Sequence, residues 1–210
     1  MFDLAAINNF SIPKLQREIT GAAAQNKKSY DELREALAQI RLLALDVDGV
    51  LTDGTINISA EGEIFKGFNA KDGLGISAAL RNELQVAIIT GRKSEIIHNR
   101  CRELGITLLG EGIKDKRAAL AELSASLGFT KVQTAYMGDD LNDLPAFAAA
   151  GLAFAPSDAS MEVLALADIV TKAQGGRGAV REAITMILAA QGKWNSIIKS
   201  YIQAGQGDKQ

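Results

Sequence analysis

The sequence predicts a doubly wound α/β fold with a mainly parallel sheet. Short apolar runs begin at Leu42 and alternate with segments of helical periodicity. The runs are almost continuously apolar, which is typical of strands buried on both faces. Alternation of such strands with helices indicates a parallel sheet covered by helices on both sides. We predict strands at residues 42–46, 86–90, 106–109, 134–138, 152–155 and 168–171.

The composition narrows the class of protein. The chain has 210 residues, of which 47% are hydrophobic, so one sizeable core can form. The formal net charge is −2 and no basic stripe is present, so we expect no nucleic-acid partner. A single cysteine, Cys101, fits a reducing compartment. No apolar run reaches the roughly 18 residues of a membrane span, and the first residues do not resemble a secretory signal. We therefore expect a cytoplasmic protein with no membrane partner.

The two ends differ from the middle of the chain. We expect a helical N-terminal extension at 1–40, the main domain at 41–190 and a C-terminal tail at 191–210. Ser29 and Glu32 have the spacing of a capping box, and Pro13 suits the first turn of an earlier helix. The extension contains no evident chemistry, so we expect it to serve docking or assembly.

Residues 53–69 interrupt the strand–helix alternation. Ile56 and Ile58 alternate with polar residues, and the stretch 59–62 has the composition of a turn. This pattern predicts a β-hairpin that projects from the loop after the first strand. An isolated hairpin is barely stable, so we expect it to need a partner surface.

Polar residues converge on one edge of the predicted sheet. Ligands of open parallel sheets bind beyond the carboxyl ends of the strands. Three predicted strands end in, or are directly followed by, acidic or hydroxyl residues, and a lysine begins a helix between two of them. The residues at these ends are Asp46, Asp48, Thr90, Gly91, Arg92, Lys116, Asp139, Asp140 and Asp143.

This set has the chemistry of a magnesium–phosphate site. Mg²⁺ prefers oxygen ligands, often one or two carboxylates together with phosphate and water, and Asp46 and Asp139 are placed to hold it. Thr90 and Lys116 can bind phosphate oxygens, and Gly91 lets the backbone approach them. Phosphoryl transfer depends mainly on positioning and charge neutralisation, which these residues provide.

The motifs DVDGVLTDG, IITGR, a downstream lysine and GDDLND resemble, in order, the four motifs of the haloacid dehalogenase superfamily. The resemblance covers residues 42–190 and implies the Rossmann-like fold of that superfamily. It implies that Asp46 is the nucleophile and that Asp48 is the general acid and base, with the Asp48 carbonyl on Mg²⁺. The phosphate-binding residues of the family fall on Thr90 and Lys116, with Lys114 as a competing lysine.

Two of the acidic residues in the GDDLND motif have less definite roles. We assign Asp140 as a possible further metal ligand. We assign Asp143 as a residue that orients the ligands without binding the metal.

FNAKDGLGI and GGRGAVRE extend the resemblance to the 3-deoxy-D-manno-octulosonate 8-phosphate phosphatase family, which supplies a precursor of lipopolysaccharide. Short spacings after Asp48 and between Thr90 and Asp139 leave no room for a cap domain, as in that family. The resemblance implies a homotetramer built through the hairpins, in which neighbouring subunits cover each site. Arg177, in its own or a neighbouring site, can meet the substrate carboxylate with a planar fork of donors, and Arg92 and Lys71 are further candidates for contacts to the sugar or its carboxylate.

Two other functions remain open at this point. Relatives with nearly the same motifs act on nine-carbon sialic-type acid 9-phosphates. A receiver-like phosphoacceptor module would also combine acidic residues, a threonine and a lysine on a similar sheet. The order of the motifs favours the hydrolase, because the acidic pair opens the sheet and a second acidic cluster follows the lysine. A phosphomutase is disfavoured because the chain lacks room for a cap.

Overall fold

The computed structural model describes residues 29–204, which form a parallel six-stranded sheet and a separate two-stranded hairpin. The strands are β1 (Leu42–Leu45), β2 (Asn57–Ser59), β3 (Gly62–Phe65), β4 (Gln85–Ile89), β5 (Leu108–Gly110), β6 (Thr134–Met137), β7 (Leu152–Ala155) and β8 (Ile169–Val170). The order in the large sheet is β5-β4-β1-β6-β7-β8, and every pairing in it is parallel. The predicted doubly wound α/β class is confirmed.

Eight α-helices connect and flank the strands within the described residues. They are α1 (Tyr30–Gln39), α2 (Ala70–Arg81), α3 (Glu95–Leu104), α4 (Lys116–Ser126), α5 (Leu144–Ala149), α6 (Met161–Leu166), α7 (Ala179–Ala190) and α8 (Trp194–Ala204). Short 3₁₀ turns occupy Lys131–Gln133 and Leu141–Asp143. None of these helices has the length and apolarity that crossing a membrane requires.

The strands are apolar on both faces because each face lies against helices. Side chains alternate along a strand, so Leu43 and Leu45 of β1 enter a core shared with α1, α2, α3, α7 and α8. Leu42 and Ala44 enter a second core shared with α4 and α5. Burial on both sides explains why the sequence shows unbroken apolar runs instead of alternation.

The topology brings the ends of three strands to one level. Leu45 of β1 pairs with Ile88 of β4 on one side and with Met137 of β6 on the other. The chain builds one half of the sheet from β1 through β4 to β5 and then crosses to β6. The crevice at such a reversal of strand order is where open α/β sheets bind ligands.

Helix α1 belongs to the core and is not separate from it, which differs from the expected extension at 1–40. Leu33, Leu37 and Ile40 are buried in the same core as the sheet. The predicted capping box is confirmed, since Ser29 Oγ accepts the Glu32 N–H and the Glu32 carboxylate accepts the Ser29 N–H. Pro13 and the rest of residues 1–28 lie outside the described residues.

The region expected to be a tail contains α8. Trp194 and Ile197 are buried against the same core, and Lys193 Nζ donates to the Asn82 carbonyl at 2.7 Å. The spacing of apolar residues within 194–204 therefore indicates an amphipathic helix, which the prediction of a tail did not take into account. Residues 205–210 lie outside the described residues.

The predicted hairpin is confirmed as β2 and β3, which pair antiparallel with a register shift between Asn57 and Ile58. Large apolar side chains on it are exposed, among them Ile58 at 64%, Ile64 at 57% and Phe65 at 56%. The exposed hairpin therefore offers an apolar surface. In the described chain no further domain is inserted between the sheet and its helices.

Candidate active site

A cleft of about 270 Å³ opens at the carboxyl ends of β1, β4 and β6. It brings together seven of the residues singled out in the sequence: Asp46, Asp48, Thr90, Gly91, Arg92, Asp139 and Asp140. Gly54, Ile56 and Asn142 also line it. The convergence predicted from strand ends is thus a single concave site in the folded chain.

Lys116 lies beneath the cleft as the first residue of α4, a helix whose N-terminus is capped by the Asp115 side chain. Its Nζ is 2.7 Å from Asp46 Oδ2 and 2.6 Å from Asp143 Oδ1. Burial alone would lower the pKa of Lys116, but the two carboxylates outweigh burial and raise the pKa above its ordinary value. The amine therefore stays charged. Lys114, the competing lysine, is exposed.

Asp143 is fully buried, and its carboxylate accepts four hydrogen bonds. Its Oδ1 accepts from Lys116 Nζ and, at 2.7 Å, from the Tyr136 hydroxyl. Its Oδ2 accepts the backbone N–H groups of Asp139 at 2.9 Å and Asp140 at 3.3 Å. Through these hydrogen bonds the Asp143 carboxylate fixes the loop after β6 and connects that loop to Lys116.

On its own, the protein environment disfavours the ionised forms of two carboxyl groups of the site, Asp46 and Asp139. Burial, followed by the repulsion of Asp143, raises the pKa of Asp46 to about 6, although Lys116 opposes this. The pKa of Asp139 is raised to about 7, mainly by burial and then by repulsion from the carboxylates of Asp143, Asp46 and Asp140. Oxygens of Asp46, Asp139 and Asp143 lie within 4.8 Å of one another. Crowded carboxylates of this kind, two of them buried and one partly buried, fit a hard divalent cation, which would relieve the repulsion.

The turn after β1 approaches Asp139 so closely that only glycine fits at residue 49. Gly49 has a φ of +84°, and a Cβ on it would lie 2.0 Å from Asp139 Oδ2. The hydroxyl of Thr52 supports the turn by donating to the Val47 carbonyl. This packing holds the first acidic motif beside the second.

Asp48 stands between two cations at the rim of the cleft. Lys66 Nζ lies 2.5 Å from Asp48 Oδ1, and Arg92 Nε lies 3.7 Å from Asp48 Oδ2. Lys66 also contacts Glu63 Oε1 at 2.9 Å. Sequence reasoning missed Lys66, since it comes from the hairpin and no motif marks it. It likewise missed Tyr136, which reads as an ordinary buried strand residue.

Two of the expected substrate residues lie outside the cleft of their own chain. Lys71 is exposed at the start of α2. Arg177 is exposed, and its Nη2 lies 3.4 Å from Asp53 Oδ2. Neither is among the residues lining the cleft in the described chain.

The glycines next to Arg177 support the turn after β1 from behind. Gly176 N–H donates to the Val50 carbonyl at 2.9 Å. A Cβ on Gly175 would lie 1.8 Å from the Gly49 carbonyl oxygen. In this chain the glycine-rich segment thus acts as packing for the acidic motif.

Comparisons with known proteins show the family to which the chain belongs. A family model described as haloacid dehalogenase-like hydrolase matches residues 110–184. The 3-deoxy-D-manno-octulosonate 8-phosphate phosphatase of Escherichia coli strain K12 is 49% identical over 154 residues, which cover 73% of this chain and 82% of that protein. The enzyme of the same name from Haemophilus influenzae is 46% identical over 161 residues, covering 77% of this chain and 89% of that protein.

Solved structures give the same result. The Moraxella catarrhalis phosphatase of this name, in complex with magnesium, phosphate and a 3-deoxy-D-manno-octulosonate (KDO) molecule, is 39% identical with a TM-score of 0.79, covering 82% of this chain and 99% of that one. The cobalt-bound Haemophilus influenzae phosphatase is 46% identical with a TM-score of 0.74, covering 76% of this chain and 93% of that one. The chain therefore belongs to the haloacid dehalogenase-like hydrolases and, among them, to the 3-deoxy-D-manno-octulosonate 8-phosphate phosphatase family.

Proposed function

We propose that this protein is a Mg²⁺-dependent phosphomonoester hydrolase that releases phosphate from 3-deoxy-D-manno-octulosonate 8-phosphate through an aspartyl-phosphate intermediate. The observation that carries the proposal is the pairing of the buried Lys116 amine with Asp46 at the base of a cleft rimmed by Asp48, Thr90 and Asp139. A carboxylate beside a fixed cation at a strand end can attack phosphorus while the cation binds the phosphoryl oxygens.

Asp46 acts as the nucleophile in the first step. Its carboxylate oxygen bonds to phosphorus, and the bond from phosphorus to the sugar oxygen breaks. The lysine at 116 and the hydroxyl of Thr90 hold the phosphoryl oxygens in line, and the backbone at Gly91 approaches them closely. Lys116 also favours the ionised form of Asp46, which attack requires.

Asp48 moves the protons in both steps. Its carboxyl gives a proton to the sugar oxygen as that oxygen leaves, so the alcohol departs neutral. The carboxylate then takes a proton from a water molecule, whose oxygen bonds to phosphorus as the bond to Asp46 breaks. Phosphate is released, and the proton taken from water leaves Asp48 in its acid form, ready for the next cycle.

Four groups form the proposed Mg²⁺ site: Asp46, Asp139, the backbone carbonyl of Asp48 and, at the exposed rim, Asp140. When bound, the cation neutralises the charge of the carboxylates and of the phosphoryl oxygens. Asp143 orients the site and does not bind the ion, because its two oxygens already accept four hydrogen bonds.

Arg92 is the proposed contact to the sugar acid. It lines the cleft, and its side chain is 50% exposed. A guanidinium matches a carboxylate with a planar pair of donors, and the proposed substrate carries a carboxylate. Specificity over other phosphomonoesters would come from this rim, since the phosphate contacts are the same for all of them.

We further propose a homotetramer through the β2–β3 hairpin. The exposed Ile58, Ile64 and Phe65 support this, since an apolar patch of this kind is typical of an interface. Neighbouring subunits would then cover the open cleft, and Arg177 and Lys71 would act in a neighbouring site. We infer the cytoplasm as the compartment, in keeping with the free thiol of Cys101.

The test is phosphate release from a panel of phosphomonoesters with Mg²⁺. The panel contains the eight-carbon sugar acid 8-phosphate, a nine-carbon sialic-type acid 9-phosphate, ribose 5-phosphate and p-nitrophenyl phosphate. The proposal expects the highest kcat/KM for the eight-carbon acid. A higher value for the nine-carbon acid would reassign the substrate, and absence of turnover for all four would contradict the hydrolase.

A further inference from the structure

Lys66 is a buried cation that the mechanism above does not use. Its side chain is 2% exposed although it follows the exposed strand β3. The amine lies between two carboxylates, Asp48 Oδ1 at 2.5 Å and Glu63 Oε1 at 2.9 Å. Because burying a lysine is costly unless the charge is paired, these contacts determine where the side chain can be.

The same lysine fixes one oxygen of the proposed acid–base residue. Asp48 Oδ1 is engaged by Lys66, whereas Oδ2 has only the more distant Arg92 Nε at 3.7 Å. The side chain of Asp48 is 20% exposed, on the cleft. One oxygen is therefore held toward the hairpin, and the other is left facing the site.

The hairpin end of this arrangement is itself anchored. Glu63 contacts Lys66 through one oxygen and accepts a hydrogen bond from the Ser94 hydroxyl through the other. Ser94 is the N-cap residue of α3, in the loop that also carries Thr90 and Arg92. Burial would raise the pKa of Glu63, but the Ser94 hydroxyl and Lys66 outweigh it and lower the pKa. The chain of contacts links β4, the hairpin and Asp48.

We propose that Lys66 is a positioning residue that, held by Glu63, aims the other oxygen of Asp48, Oδ2, at the leaving oxygen of the substrate. This rests on the proposed function. The acid step then depends on the seating of the hairpin, since both Lys66 and Glu63 belong to it. If Lys66 were purely structural, it would hold the hairpin in place and would not specifically assist protonation of the leaving oxygen.

Leaving groups of different basicity separate these two roles. A sugar alkoxide needs a proton to leave, whereas p-nitrophenolate leaves readily without one. The kcat/KM value reports the steps up to departure of the leaving group. Lys66→Met removes the charge and keeps most of the volume. We expect it to lower kcat/KM for the sugar acid phosphate about 100-fold, as expected for loss of general acid catalysis, and to lower that for p-nitrophenyl phosphate by less than about threefold.

Two further variants complete the experiment. Lys66→Arg, which restores the charge, should recover part of the loss, and Lys199→Met, which removes an exposed lysine of α8, should behave as wild type. Equal losses of Lys66→Met on both substrates, or no loss on either, would overturn the positioning role. A wild-type protein without turnover would instead contradict the proposed function, so the two failures are distinguishable.

Discussion

The amine of Lys116 lies 2.7 Å from the carboxylate of Asp46, and both side chains are more than nine-tenths buried. The pair joins the end of β1 to the start of α4. It counteracts the burial and repulsion that raise the pKa of Asp46. The lysine that is proposed to bind phosphate is therefore also the residue that keeps the proposed nucleophile ionised.

Removing this amine should damage both stability and activity. In Lys116→Met, Asp46 and Asp143 lose their buried partner, and breaking a buried pair costs about 3–5 kcal/mol. We expect a lower urea midpoint and a large fall in kcat. Lys114→Met is the matched control, because Lys114 is exposed two residues away. Similar effects of the two substitutions would argue against the assignment of Lys116.

Asp46→Asn should abolish turnover but stabilise the metal-free protein at pH 8. The pKa of Asp46 is raised to about 6, so its charge opposes folding above that pH. An amide of the same shape removes the charge and the nucleophile together. We expect kcat to fall by about 10³-fold or more and the Tm without Mg²⁺ to rise. Retained activity would exclude Asp46 as the nucleophile.

The stability of the metal-free protein should fall between pH 4 and pH 7. The pKa of Asp139 is raised from 3.8 to about 7 in the folded protein. A group whose pKa is raised by folding favours the folded state at low pH and loses that contribution as the pH rises through the folded value. Thermal unfolding in EDTA should therefore show a decreasing Tm over this range.

Mg²⁺ should reverse that trend, because it binds the ionised carboxylates. The rise in Tm on adding Mg²⁺ should be larger at pH 8 than at pH 5.5. In Asp139→Asn both the pH slope and the Mg²⁺ effect should shrink. A Mg²⁺ shift that is independent of pH and of Asp139 would disagree with this site.

Gly175→Ala should disturb the acidic motif from a distance. A Cβ there would lie 1.8 Å from the Gly49 carbonyl oxygen, so the turn after β1 must move. We expect a loss of about 1–3 kcal/mol together with lower kcat, measured by urea unfolding and steady-state kinetics. Gly67→Ala is the control, since a Cβ on Gly67 meets no atom within 4 Å. Wild-type behaviour of Gly175→Ala would show that the turn tolerates displacement.

Acidic substitutions on the hairpin should test the proposed assembly. Ile58 and Ile64 are 64% and 57% exposed, so Ile58→Asp with Ile64→Asp should leave the fold of one chain intact. Light scattering after size exclusion should show a smaller particle than wild type. An unchanged mass, or a wild type that is already monomeric, would remove the hairpin as the interface.

The sequence predicts those parts of the site that depend on strand ends. Asp46, Thr90 and Asp139 stand at the ends of buried strands. Strand–helix alternation predicts a parallel sheet whose carboxyl ends share one edge, so their meeting was foreseeable. The contact of Lys66 with Asp48 was not foreseeable. The two residues are 18 positions apart, and the pattern of the hairpin sequence does not show which way the hairpin lies against the sheet. Tyr136 was hidden for another reason, since its strand is buried on both faces and only the hydroxyl has a polar role.

The packing of the helices at the two ends of the described chain was also hard to predict. Helix α1 and helix α8 have apolar faces, but only the fold shows which surface covers them. Leu37 and Trp194 enter the same core as the central strand, and no local signal distinguishes this from packing against a partner. The segment around Arg177 was predicted to contact substrate, but its neighbouring glycines pack beneath the acidic motif. The side chain of Arg177 itself lies outside the cleft.

Trapping the covalent intermediate tests whether Asp46 is the nucleophile. The protein is mixed with the sugar acid phosphate, labelled at phosphorus, and Mg²⁺, then quenched in acid during turnover and mapped by peptide mass spectrometry. We expect a hydroxylamine-labile phosphoryl group on the peptide containing Asp46, and no label in Asp46→Asn. Turnover with the label on another residue, or undiminished turnover of Asp46→Asn, would contradict it.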